Sequence, residues 1–208
     1  MKLIRKPFAY TYFNATLMLI IINALIFALQ NLTPNLTYIF AMTPVLASHG
    51  WFWQFFTYMF AHASFNHILF NMIALFVFGA RAERYMGSKE FLVYYLVTGV
   101  LAGIFSFVVF LFTGAARVPL LGASGAIFAV QLAYAAFFPD SILYIWGILP
   151  LRAPVMMLGF TAIELFSTVF GVKNGVAHLT HLAGFGFGCL YFLIRFRANP
   201  LRMMIGKR

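Results

Sequence analysis

The chain has 208 residues, of which 63% are hydrophobic and 9% charged, with a formal charge of +10. A soluble domain of this size cannot bury so much apolar surface, so the class is an all-α polytopic membrane protein and soluble enzymes are excluded. The basic residues sit at the ends of apolar segments instead of forming one patch, which excludes nucleic acid as a partner and points to the lipid bilayer.

The N-terminus carries Lys2, Arg5 and Lys6 ahead of an apolar run, as a signal peptide would. No small-x-small cleavage site follows, so the run reads as an uncleaved first span. A spanning helix needs about 20 apolar residues. Six such segments can be drawn, near 10–30, 64–80, 91–113, 121–138, 153–171 and 176–196, and they predict a six-transmembrane-helix bundle over residues 1–198. Residues 199–208 form a short basic tail. With the N-terminus placed in the cytoplasm, Lys2, Arg5, Lys6, Arg81, Arg84, Lys89, Arg152, Arg195, Arg197, Arg202, Lys207 and Arg208 all fall inside. Only Arg117 and Lys173 fall outside, so both termini are expected to be cytoplasmic.

The link at about 31–63 is dense in aromatics (Trp51, Phe52, Trp53, Phe55, Phe56, Tyr58, Phe60) and reads as a segment lying in the outer interface. Asn-x-Thr sequons at Asn31 and Asn35 matter only if that face is an ER lumen. The link 139–152 is expected to skim the cytoplasmic interface. Cys189, the only cysteine, reads as a packing residue.

Spans two, four and six run in the same direction, so their first turns share one depth. Span two opens with His67 and Asn71, spaced i and i+4 on one face. Span four opens with Ser124 inside Gly122-Ala123-Ser124-Gly125, and span six with His178 and His181. Polar side chains at membrane depth are costly and face a protein interior or a wet cavity. Span four is short, about 27 Å at helical rise for 18 residues, so its N-terminus is expected to be submerged. The first N–H groups of a helix lack intrahelical partners and carry the positive dipole end, which places oxyanion donors beside Ser124. Gly184 and Gly188 follow His181 at i+3 and i+7, and that small stripe can press against Gly125 and Ala129.

These parts suffice for amide hydrolysis, with His181 as base for Ser124 and with His67, Asn71 and the Ser124 N–H as oxyanion donors. Glu83, Glu90 and Asp140 fall on the cytoplasmic side. Glu164, within span five, is expected to be protonated or bonded to a neighbour. No carboxylate is expected to orient the histidine, which predicts a Ser–His dyad and not a triad. Glu83 with Arg81 and Arg84 reads as a helix-end ion network, His178 as a packing or helix-orienting residue, and His62 as bonded to loop backbone.

The run His62-Ala63-Ser64-Phe65-Asn66-His67-Ile68-Leu69-Phe70-Asn71, then Gly122-Ala123-Ser124-Gly125, then Ala177-His178-Leu179-Thr180-His181-Leu182-Ala183-Gly184 with Gly188, resembles the rhomboid family of intramembrane serine proteases. The elements occur in the family's order, and the six-helix layout covers nearly the whole chain. The resemblance implies Ser124 as nucleophile, His181 as base, His67 and Asn71 at the oxyanion site, and cleavage of single-span membrane proteins near the extracytoplasmic face. It also selects His181 over His178, because the family places glycine three and seven positions after the base. Two positions depart from the family pattern. Trp53-Gln54 stands where many members have Trp-Arg, which bears on loop anchoring. Phe128 stands where the aromatic one turn after the serine is often Tyr, and it can pack on the imidazole without offering a hydroxyl.

Two rival functions remain at this level: a catalytically inactive relative that binds membrane clients, and a small-molecule membrane transporter. Both catalytic residue types are present, and the inner halves of the spans carry few uncharged polar residues beyond Gln131, so the pocket reads as blind. No His-Glu-x-x-His motif, no aspartate pair and no Gly-x-Ser-x-Gly elbow occurs. No metal and no cofactor are expected. The partners expected are the transmembrane segments of substrates. The location expected is a bacterial inner membrane, and Gly99 with Gly103 reads as internal packing.

Overall fold

The computed structural model describes residues 6–33, 35–145, 147–170 and 175–206. Lys2, Arg5, Lys173, Lys207 and Arg208, used above to orient the chain, lie outside them. The long apolar helices are α1 (Ala15–Leu32), the continuous helix Phe65–Met86, α7 (Ser88–Phe112) and the helix closing the bundle. Phe65–Met86 comprises α5 (Phe65–Ala74), a π-helical stretch Leu75–Gly79 and α6 (Ala80–Met86). The closing helix is α10 (Gly175–Tyr191), prolonged by a second π-helical stretch, Phe192–Phe196. Two shorter apolar helices, α8 (Ser124–Phe137) and α9 (Ala153–Val169), complete the set. The chain is a polytopic, mainly helical membrane protein.

Helix α8 is the axis of the bundle. Every residue from Gly125 to Ala136 is buried, and α7, α9 and α10 all pack on it. Such a helix must be apolar all round, and alanine dominates it because flanking helices come close. The Tyr94 hydroxyl of α7 donates to the Ala129 carbonyl at 2.6 Å, and the Tyr58 hydroxyl donates to Gly99 O at 2.6 Å. A Cβ on Gly99 would lie 2.1 Å from Met59 Cε, and one on Gly103 would lie 2.6 Å from Tyr58 Cε1. These glycines are therefore internal packing positions.

The helix ends differ from the drawn spans for identifiable reasons. Span one starts at Ala15 and not near residue 10, because the preceding segment is tied across the bundle. Phe8 N–H donates to Glu90 Oε2 at 2.9 Å and Phe13 N–H to Ser88 Oγ at 2.8 Å. Span four starts at Ser124 and not at 121. Leu120 is instead paired with Met42 in an isolated antiparallel bridge, and Gly122 N–H donates to Tyr58 O at 2.9 Å.

Within this mainly helical fold, the link between α8 and α9 carries a β-hairpin. Strands β1 (Ile142–Ile145) and β2 (Leu149–Arg152) pair antiparallel with Tyr144 opposite Pro150. Pro139 and Pro150 forbid a helix through this link, and proline is tolerated in a two-stranded ribbon where one side of each strand is an edge.

The 31–63 link is folded, with three short helices, α2 (Leu36–Phe40), α3 (Pro44–Ser48) and α4 (Gln54–Thr57). Gln54, fully buried, holds it together. Its amide nitrogen donates to the Tyr38 and Ile39 carbonyls at 3.2 and 3.3 Å, and its oxygen accepts from Thr43 N–H at 3.1 Å. The glutamine standing in the Trp-Arg position thus anchors the loop itself.

At the end of the bundle away from Ser124, two buried carboxylates join helices. Glu83 accepts from the backbone N–H of Ala15 at 2.6 Å and of Thr16 at 2.8 Å, and from the Ser88 hydroxyl. It caps α1, whose own Asn14 makes no side-chain cap. The ion network expected with Arg81 and Arg84 is not formed among the described residues. Arg81 donates instead to Tyr134 Oη and Ser141 Oγ. Glu90 binds Arg195 through both oxygens, at 2.7 and 2.9 Å, and accepts from the Tyr191 hydroxyl at 2.5 Å. The segment after residue 198 forms α11 (Pro200–Met204), capped by Asn199 and packed on α8.

Candidate active site

Three helix starts meet at one end of the bundle. Helix α5 is opened by Ser64, whose Oγ accepts from His67 N–H at 3.2 Å, and this N-cap aims His67 and Asn71 into the bundle. Asn71 Nδ2 donates to His67 O at 3.0 Å, one turn back. Helix α8 begins at Ser124 itself. Ala123 supplies no side-chain cap, so the first N–H groups have no intrahelical acceptor. Gly122 enables this arrival. Its φ of +118° suits glycine, and a Cβ there would lie 2.7 Å from His67 Nε2.

Helix α10 packs tightly against α8. A Cβ on Gly184 would lie 1.9 Å from Gly125 O, and one on Gly188 would lie 3.2 Å from Ala129 Cβ and 2.8 Å from Tyr94 Oη. This contact brings His181 Nε2 to 2.7 Å from Ser124 Oγ. Phe128, one turn after Ser124, lies parallel to the His181 ring, with centroids 5.0 Å apart and planes within 4°. Thr180 Oγ1 and Ser106 Oγ lie 2.6 Å apart, pinning α10 to α7 at the same level.

A cavity of about 290 Å³ opens beside these groups. Asn66, His67, Phe70, Asn71, Ser124 and Phe128 line it, with Gln131 two turns below Ser124. Gln131 Oε1 is buried and has no hydrogen-bond partner among the described residues. His62 lies edge-on to His67, with ring centroids 5.1 Å apart. It is buried, beside the loop backbone at Phe60. Burial and the neighbouring His67 push the His62 imidazole down to about 4.

One expectation is overturned at the base. Glu164 Oε1 lies 2.9 Å from His181 Nδ1, so a carboxylate does reach the histidine. Its other oxygen, Oε2, lies 2.5 Å from His178 Nδ1. Glu164 is a lone acid on an apolar helix, which is itself a signal, since such residues face the protein interior and meet a partner. Its rotation about α9 relative to α10 could not be read from hydropathy.

A family model described as the Rhomboid domain matches residues 49–198. The chain belongs to the rhomboid family. It is 32% identical over 151 residues to the Rhomboid protease GlpG of Haemophilus influenzae, covering 72% of this chain and 73% of that protein. It is 30% identical over 139 residues to the Putative rhomboid protease YdcA of Bacillus subtilis, covering 66% and 65% of the two chains. It is 32% identical over 164 residues to the Rhomboid-type serine protease 2 of Emericella nidulans, covering 77% of this chain and 30% of that one. In this rhomboid chain Glu164, His178 and His181 each place one ligand atom within 4.8 Å of the others, which is the sole set among the described residues that could hold a metal ion. The Nδ1-to-oxygen distances within the set are hydrogen-bond lengths, and His181 Nε2 already faces a hydroxyl.

Proposed function

We propose that Ser124 is the nucleophile and His181 the general base of an intramembrane serine protease of the rhomboid type. The observation that supports this most directly is the 2.7 Å contact between Ser124 Oγ and His181 Nε2, beside a cavity that Ser124 lines. The base removes the Oγ proton as Oγ bonds to the scissile carbonyl carbon, and the carbonyl π pair moves onto oxygen. His67, Asn71 and the N–H groups at the start of α8, which lack intrahelical acceptors, stabilise that oxyanion in this reading. The His181 Nε2 proton then passes to the leaving nitrogen as the C–N bond breaks. Water deacylates Ser124 by the same base in reverse. Gly122, Gly125, Gly184 and Gly188 admit the close backbone approaches, and Phe128 holds the imidazole plane.

In this reading six helices cross the bilayer over residues 1–198, and 199–208 is a basic cytoplasmic tail. Helix α8, with 14 residues, is about 21 Å long against a hydrocarbon core of about 30 Å. A helix this short leaves an end inside the hydrocarbon, and in this reading it is the Ser124 end. The described basic residues Lys6, Arg81, Arg84, Lys89, Arg152, Arg195, Arg197 and Arg202 belong to helix ends and links opposite Ser124, and Arg117 is on its side. The positive-inside rule then makes the Ser124 face extracytoplasmic. The substrates are single-span membrane proteins cut near that face, and the membrane is the bacterial inner membrane.

A fluorophosphonate probe on the purified protein in detergent, run beside cleavage of a single-span reporter, tests the assignment. Labelling and cleavage should both vanish in Ser124→Ala and in His181→Ala. A Ser124→Ala variant that still cleaves would remove the nucleophile. A wild-type chain that holds the reporter uncut would make it a client-binding relative.

A further inference from the structure

We infer that Glu164 is a positioning residue that completes a Ser124–His181–Glu164 relay, with His178 as the anchor that holds its carboxylate in place. The inference rests on the nucleophile and base proposed above.

The geometry assigns each proton. His181 Nε2 faces the Ser124 hydroxyl and must accept from it, so the ring proton of a neutral His181 belongs on Nδ1. Nδ1 points at Glu164 Oε1, an acceptor at 2.9 Å. The carboxylate thereby selects the one tautomer that can act as base, and it fixes the ring about its axis. Without it, a neutral imidazole divides between two tautomers, and only one of them leaves Nε2 free.

A carboxylate on a half-buried helix face needs partners of its own. His178, one turn before His181 on the same face of α10, places Nδ1 2.5 Å from Oε2. The two oxygens are thus each engaged by one imidazole, and neither can rotate away without breaking a bond. His178 does not touch Ser124 in this arrangement; it orients the group that orients the base. Phe128 stacked on the His181 ring constrains the remaining direction of motion.

The charge balance of the acylation step gives Glu164 a second task. When Oγ attacks, the Oγ–H proton moves to Nε2 and His181 becomes an imidazolium. The Glu164 negative charge lies against Nδ1–H of that imidazolium and compensates it inside a poorly hydrated site, where an unpaired charge is expensive. No proton passes to Glu164 at any step. When Nε2–H is delivered to the leaving nitrogen, the neutral ring returns to its starting tautomer.

The test uses the full-length protein in proteoliposomes with a single-span reporter, plus fluorophosphonate labelling. Glu164→Gln should lower kcat by about 10²-fold, at the low end of what a positioned base contributes, with KM within twofold of wild type. Labelling of Ser124 should slow in parallel. Glu164→Asp should recover part of the loss, and His178→Phe should lower kcat about tenfold. A ¹⁵N-histidine spectrum of the wild type should find His181 protonated on Nδ1 and bare on Nε2, with both nitrogens partly protonated in Glu164→Gln. A Glu164→Gln variant with kcat within twofold of wild type overturns the inference. So does a wild-type spectrum with the His181 proton on Nε2, which decides the matter even if Glu164→Gln fails to fold. Loss of wild-type cleavage on chelator dialysis, restored by Zn²⁺, would also overturn it by making the three residues a metal site. Cleavage that depends on Ser124 and His181 but ignores Glu164 leaves the proposed function standing; absence of any Ser124 labelling removes that function first.

Discussion

Gly184 lies so close to Gly125 that a Cβ on it would fall 1.9 Å from the Gly125 carbonyl oxygen. The obstacle is backbone, which cannot swing aside as a side chain would. The contact between α8 and α10 therefore sets the separation at which His181 reaches Ser124. Gly184→Ala should force the helices apart, at a cost of about 1–3 kcal/mol or more for overpacking. A displacement near 1 Å at the reacting atoms costs about 10²-fold in rate. Reporter cleavage should fall by at least that factor, and the thermal midpoint in micelles should fall with it.

Gln54 carries a whole loop on one buried amide. Gln54→Ala takes the Gln54 amide away from the Tyr38 carbonyl and the Thr43 N–H, while Ile39 O keeps the Trp53 Nε1–H bond at 3.1 Å, and an unsatisfied buried group costs about 1–3 kcal/mol. The thermal midpoint should drop accordingly. Proteolytic nicking by an added protease should then appear within 36–57 before it appears in the helices.

Glu83 caps α1 from another helix. Glu83→Gln keeps the shape but removes the charge from the positive end of the α1 dipole and weakens charge-assisted bonds to Ala15 and Thr16. The expected loss is about 1–2 kcal/mol in unfolding free energy. Because this end lies away from Ser124, kcat on the reporter should remain within twofold of wild type.

His62 makes stability depend on pH. Its folded value of about 4 lies below the ordinary 6.5, so the unfolded chain binds its proton first as pH falls. The contribution is complete above pH 6.5 and is lost progressively between 6.5 and 4. An interval of that width corresponds to about 3 kcal/mol. Thermal midpoints measured from pH 7 to 4.5 should fall more steeply for wild type than for His62→Asn. Parallel curves would mean that His62 is not responsible.

The membrane class, the approximate spans and the residue types of the site were legible in the chain itself. Apolar runs of spanning length have one solvent that suits them, and glycines at fixed intervals after His181 mark a helix face built for close approach. His67, Asn71, Ser124 and His181 could be placed at one depth because depth follows from length along a helix. Depth is one coordinate, however, and contact needs the rotation of each helix and its lean against its neighbours.

Those remaining coordinates were decided by tertiary packing. Glu164 sits 17 residues before His181, and nothing in that interval states that α9 turns its single acid toward α10. Glu83 and Ala15 are 68 residues apart, and Gln54 serves carbonyls 15 and 16 residues upstream. Each of these side chains binds backbone or a ring that becomes available only when separate helices dock. Hydropathy records how well a residue suits lipid, so it locates a buried polar group but is silent about the partner that makes its burial affordable.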